Sequence, residues 1–200
     1  VNSPEFVFHM EKIMKSLPPN GRIYALGDMA GRQSEYTRIA IARIPIPTVL
    51  PFLQNIRWPG DFGQVAQVLE QIKPFSNTVS LDLDVGSTIG GTLGLELVNR
   101  HRFDRQWWQQ LFTFLVQNEL CTSEKSNALL QWPGHSNETD NRAVWPNNLL
   151  PTAHLEAPIR CFLVRFINHV KLVCKPDMPL AAKAYIALRQ TCQSSQQKSA

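Results

Sequence analysis

The stretch Val79-Ser80-Leu81-Asp82-Leu83-Asp84-Val85 alternates apolar and polar residues without a break. Successive side chains on a strand point to opposite faces, so the pattern specifies one greasy face and one acidic face. A turn-rich segment, 86–91, separates it from a second alternating stretch, Thr92-Leu93-Gly94-Leu95-Glu96-Leu97-Val98. Together they read as an antiparallel hairpin with Asp82, Asp84 and Glu96 on its polar side. A second hairpin of this type lies nearer the C-terminus. Arg165 to Cys174 is followed, after Lys175-Pro176-Asp177-Met178-Pro179, by Lys183-Ala184-Tyr185-Ile186-Ala187-Leu188. Its polar side carries His169, Lys171, Lys183 and Tyr185.

Helices flank these hairpins. Val65, Val68, Leu69 and Ile72 follow the spacing of one buried helical face over Phe62 to Ile72, and Asp61 is placed to cap it. Trp108, Leu111, Phe112 and Leu115 make the same stripe over Asp104 to Asn118. Thr48 to Ile56 and Glu124 to Leu130 read as shorter helices. Arg22 to Leu26 and Tyr36 to Ile44 read as the arms of a further hairpin around Gly27-Asp28-Met29-Ala30-Gly31. Phe6-Val7-Phe8 reads as an opening strand, followed by a brief helix from Glu11 to Leu17 that Pro18-Pro19 stops. The Pro-rich stretch 133–158 reads as an irregular loop, and 193–200 as a polar, disordered tail. Trp58-Pro59-Gly60 and Trp132-Pro133-Gly134 each close a helix ahead of a hairpin, a faint sign of duplication.

The implied fold is α+β: an antiparallel sheet of repeated β-hairpins with helix pairs packed on one face, as a flat sheet or a partial, open barrel. Residues 1–192 form one domain. The apolar set Leu81, Leu83, Val85, Leu93, Leu95, Leu97, Val170, Leu172 and Cys174 is assigned to the helix side.

At 44% apolar, a chain of 200 residues can bury a sizeable core, which excludes wholesale disorder. No apolar run reaches the ~18 residues of a membrane span. The net charge of +4 comes from scattered basic residues. Asp82, Asp84 and Glu96 would repel phosphates on the same sheet, so nucleic acid is not an expected partner. Cys121, Cys161, Cys174 and Cys192 match no metal spacing and read as free thiols in a reducing cytoplasm, a disulfide being the alternative. No metal and no cofactor are expected. The chain opens on Val, and its first strand has no upstream hairpin partner. That suggests either a missing N-terminal segment or pairing with another copy through Phe6 to Phe8.

Two readings of the polar face stand. A solvated face is common in antiparallel sheets. If the sheet curls, the face instead lines a groove, and its ionisable groups become ligand contacts. The second reading makes the protein a ligand- or peptide-binding module. Its contacts would be Arg22, Tyr24, Asp84, His169, Lys171, Lys183 and Tyr185, and its ligand an acidic small molecule or peptide.

Arg22-Ile23-Tyr24 and Lys183-Ala184-Tyr185 each place a basic residue and a tyrosine on one strand face. With the order of helices and hairpins from about residue 5 to 190, these tripeptides resemble the ABBA aromatic prenyltransferases. The resemblance implies a barrel with a polar lumen. It implies that Arg22, Lys171 and Lys183, with His169, hold a prenyl diphosphate while Tyr24 and Tyr185 shield a carbocation. It also implies that Glu96 or Asp82 is the catalytic carboxylate. Transfer of a prenyl group to an aromatic or peptide acceptor is then the alternative function.

Overall fold

The computed structural model describes residues 3–28, 35–137 and 159–194. Helix α1 (Pro4–Ser16) leads into strands β1 (Arg22–Asp28) and β2 (Thr37–Pro45). Helices α2 (Ile46–Ile56) and α3 (Phe62–Ile72) precede the acidic hairpin, β3 (Thr78–Val85) and β4 (Ile89–Leu97). Helices α4 (Arg105–Gln117) and α5 (Ser123–Gln131) precede a short β5 (Gly134–Asn137) and the basic hairpin, β6 (Ile159–Cys174) and β7 (Ala181–Ser194). The described strands form a single seven-stranded sheet in the order β1-β2-β3-β4-β6-β5, with β7 also paired to β6. Every pairing is antiparallel, and the sheet is not closed. The α+β architecture read from alternation is the one observed.

Long β6 organises one side of the sheet. Its C-terminal half, Val170 to Cys174, pairs with β4, and Phe162 to Arg165 pair with β5. Strand β7 runs along the opposite edge of β6 over nearly its full length. Among the described residues, strands β1, β5 and β7 each have one neighbour and are edges.

The helix side holds the core. Leu81, Leu83, Val85, Leu93, Leu95, Leu97, Val170, Leu172 and Cys174 are all buried, as are Trp108, Leu111, Phe112 and Leu115 of α4. Each fully buried Leu or Val contributes roughly 1.5–3 kcal/mol relative to an exposed one. Asp61 and Asp104 cap α3 and α4, each accepting a hydrogen bond from a backbone N–H three residues on. In β2 a bulge between Ile41 and Ile44, with Arg43 at φ 64°, resets the alternation so that both isoleucines face the core.

Several expectations are corrected. Phe6 to Phe8 is not a strand; it lies within α1. Ser3 caps that helix by accepting from the Phe6 N–H, and Pro4 occupies its first turn. Phe6, Met10, Ile13 and Leu17 then fall on the face packed against the core, a helical period that Phe-Val-Phe obscured. Pairing through Phe6 to Phe8 thus has no strand to rest on. Within 133–158, Gly134 to Asn137 is a strand, added because β6 outruns β4; 138–158 lie outside the described residues. Strand β7 continues to Ser194, past the expected start of the tail, and 195–200 are not described. The two Trp-Pro-Gly triplets are not equivalent: Trp58 sits buried between α2 and α3, whereas Trp132 follows α5 directly. Cys192 is disulfide-bonded rather than free, and its cross-strand neighbour is Cys161. Cys121 and Cys174 are free thiols, and burial pushes the Cys174 thiol up to about 12.

Candidate functional site

On the polar side, side chains from separate strands meet around a pocket. Tyr24 is on β1 and Glu96 on β4, three strand spacings apart, or roughly 14 Å in a flat sheet. The two long side chains bridge that span, the Tyr24 hydroxyl donating to Glu96 Oε2 at 3.0 Å. A bulge between Ile23 and Ala25 contributes by leaving Tyr24 out of register with β2; bulges of this type re-aim a side chain. A pocket of about 170 Å³ is lined by residues from Arg38 on β2 across to Lys183 and Tyr185 on β7.

Lys171 is the centre of the network. It lies opposite Glu96 in the β4–β6 register, while Asp82 lies opposite Gly94 on β3–β4. The Lys171 ammonium ion-pairs with Asp82 Oδ2 and sits 3.6 Å from Glu96 Oε1. To reach Asp82 its stem must cross β4, and it does so over Gly94. A Cβ there would meet Lys171 Cε at 2.9 Å and Asp82 Cβ at 3.0 Å. The glycine, costly inside a strand, marks this close approach.

His169 Nε2 lies 3.3 Å from Glu96 Oε1. The two atoms are close, but Nε2 makes no hydrogen bond. The His169 ring stacks on Tyr185 at 4.3 Å between centroids, a bulge at Asn168 having brought the two residues opposite each other. Arg38 holds Asp84 through two hydrogen bonds, 2.8 and 3.0 Å long.

These groups tune one another. Burial raises the Asp82 carboxyl, and the negative charge of Glu96 adds to that, while Lys171 opposes both; the net direction is upward. Burial also works to raise Glu96, but His169, the Tyr24 hydroxyl and Lys171 together outweigh it and hold Glu96 low. Burial works against the charged Lys171, yet its two carboxylates keep it above its ordinary value. The Tyr24 phenol is pushed up by burial and by Glu96. The Lys171 ammonium and the Glu96 carboxylate are thus each favoured in charged form, and the Tyr24 phenol in neutral form.

Of the residues singled out from sequence, Tyr24, Asp82, Glu96, His169, Lys171 and Tyr185 come together in one cluster. Asp84 and Lys183 line the adjoining pocket. Arg22 does not join: it sits exposed on the outer edge strand and does not line the pocket. Three contributors were missed. Arg38 stands on the polar phase of an alternating arm, which was a usable signal, but its partner depends on the β2–β3 register. Lys175 follows β6, where alternation stops. Gly94 is meaningful only because of what crosses it.

The pocket lining holds four cations, Arg38, Lys171, Lys175 and Lys183, against two carboxylates, Asp82 and Asp84. Arg38 and Lys171 are neutralised by those carboxylates. Lys175 and Lys183 form no ion pair among the described residues. Among those residues, too, no His, Cys, Asp and Glu side chains gather as a set able to hold a metal.

Comparison of the chain with known protein families, with curated proteins and with solved structures returns no match. The geometry alone carries the functional reading.

Proposed function

We propose that the pocket on the polar face binds an anionic ligand, either an acidic small molecule or the acidic groups of a peptide. The observation that carries this is the surplus of cations around the pocket. With Arg38 and Lys171 held by carboxylates, Lys175 and Lys183 are left to attract an anion, and Tyr185 offers a ring face beside them. The Lys171 ammonium, engaged by Asp82 and Glu96, then forms the floor that fixes the position of those groups.

Prenyl transfer is the second reading, and the stacked Tyr185–His169 pair beside the cations is what favours it. It requires Lys175 and Lys183 to hold the diphosphate. Lys171 is engaged by Asp82 and Glu96, and Arg22 is outside the pocket, so neither is free for that role.

No described helix is long and apolar enough to cross a membrane. The free thiols Cys121 and Cys174 favour a cytoplasmic address, while the disulfide at Cys192 weighs against it, since such bonds persist chiefly in oxidising compartments.

Titration calorimetry with inorganic pyrophosphate and, separately, with triglutamate tests the binding reading. We expect binding of at least one probe, weakened about tenfold or more by Lys183→Ala through loss of one charge-assisted contact. Tyr185→Phe retains the ring face and should change affinity little. Absence of heat with both probes at about 10 mM, or full affinity in a Lys175→Ala/Lys183→Ala double variant, would sink it.

A further inference from the structure

Strand β7 has two distinct faces and, among the described residues, no partner on its outer side. Among the described residues it pairs only with β6. Its register sets Lys183 opposite Lys171 and Tyr185 opposite His169. Strand alternation then puts Lys183, Tyr185 and Arg189 on the polar side, and Ala182, Ala184, Ile186 and Leu188 on the helix side. That helix side is uncovered: Ile186 is 50% and Leu188 54% exposed. Between it and α5 lies an apolar cleft of about 480 Å³, walled by Leu115, Leu129 and Trp132 and floored by Ala182, Ala184 and Ile186. Of the charged residues, Lys125 and Lys183 border the cleft, both cations, the Lys183 side chain turning to the polar face. Strand β7 itself, AAKAYIALRQTCQS, contains no carboxylate.

We propose that β7 docks an extended peptide of a partner protein whose residues alternate acidic and apolar. The peptide adds a strand to the sheet and satisfies the outward backbone groups of β7. Its apolar side chains enter the cleft beside α5, where Ala182 and Ala184 are too small to fill the space. Its acidic side chains meet Lys183 and Arg189 on the other face. A second copy of this chain fits poorly. Antiparallel self-pairing centred on Ile186 would set Lys183 directly against Arg189, and like charges in that position are destabilising. The inference goes beyond anion binding in the pocket, because it rests on the backbone edge and the apolar cleft, which the pocket does not use.

The test uses a fluorescein-labelled peptide, Glu-Val-Glu-Leu-Glu-Val-Glu, followed by fluorescence anisotropy. A strand bonds to one edge through alternate residues only. Of two peptides N-methylated on alternate residues, one on the odd and one on the even positions, one should bind about tenfold or more weakly and the other almost normally. Replacing Glu by Lys in the peptide, or Arg189→Glu in the protein, should also weaken binding by about tenfold. Arg189 lies outside the polar pocket, so the Arg189→Glu variant should keep any pyrophosphate binding, which separates this proposal from the previous one. Equal binding by both N-methylated peptides, or no binding of the parent peptide at about 1 mM, would overturn it. So would a dimer in sedimentation that Ile186→Lys returns to monomer, because the edge would then belong to a second copy.

Discussion

The β3–β4 hairpin and the β6–β7 hairpin start from the same alternating pattern and end in different surroundings. In β3–β4 both faces are enclosed. Leu81, Leu83, Leu93 and Leu95 lie under the helices, and Asp82 and Glu96 are buried in the charged network. In β6–β7 only β6 shares that enclosure, with Val170, Lys171 and Leu172 buried, while Tyr185, Ile186 and Leu188 of β7 remain exposed. The difference is position in the sheet. A central strand has neighbours on both edges, and the helix layer spans it; an edge strand has one neighbour and lies at the margin of that layer. The same pattern thus builds an enclosed hairpin in one place and an exposed one in the other.

The sharpest way to break this comparison is to disturb one charge in each hairpin. Asp82→Ala leaves the Lys171 ammonium buried, with the 3.6 Å contact to Glu96 and the Tyr185 ring 5.4 Å away, and should cost about 3–5 kcal/mol. Lys183→Ala, on the exposed edge, should stay within about 0.5 kcal/mol of the wild type. Urea unfolding of both variants measures the contrast. A cost below about 1 kcal/mol for Asp82→Ala would mean that Lys171 finds water in place of its partner.

A second contrast concerns apolar burial. Leu95 is fully buried and Leu188 is 54% exposed. Leu95→Ala should destabilise by about 2–5 kcal/mol, and Leu188→Ala by about 0.5 kcal/mol or less. A comparable loss for the two would show that β7 is enclosed in solution, and the edge would no longer be available.

The smallest expected effect is a difference of sign within β3–β4. Glu96 is held below its usual 4.5, so it adds stability that is present above that pH and lost as pH falls through the folded value. Asp82 is raised above 3.8, so its contribution is fully present below that pH and fades as pH rises through the folded value. Each sign follows from which state binds more protons. In unfolding experiments between about pH 3 and 6, Glu96→Gln should flatten the acid-side loss of stability, and Asp82→Asn should steepen it. Slopes that change in the same direction would show that the two carboxylates do not titrate as opposed neighbours.

Much of the fold was legible because period-2 and period-3.6 patterns report which face is buried, and burial dominates the energetics. The cluster was partly legible for the same reason: Asp82, Glu96, His169 and Lys171 all stand on the polar phase of their strands. Their contacts were not. Whether Lys171 meets Asp82, and whether Arg38 meets Asp84, depends on registers between strands far apart in the chain. The bulges at Tyr24 and Asn168 shift a face by one residue without an obvious local signal. Strand β5 has only four residues, Gly-His-Ser-Asn, with no apolar alternation, and exists because β6 offered an unfilled edge.

The sequence by itself determined the α+β class, the helices α3 and α4 with their caps, and the two faces of each hairpin, because all of these are local consequences of side-chain period and capping chemistry. Tertiary structure alone decided that a pocket forms on the polar face, that Gly94 is the crossing point for Lys171, and that, among the described residues, Lys175 and Lys183 have no ion pair and β7 is an edge. Those depend on strand order and register. These properties arise when separate segments meet, and no single segment encodes them.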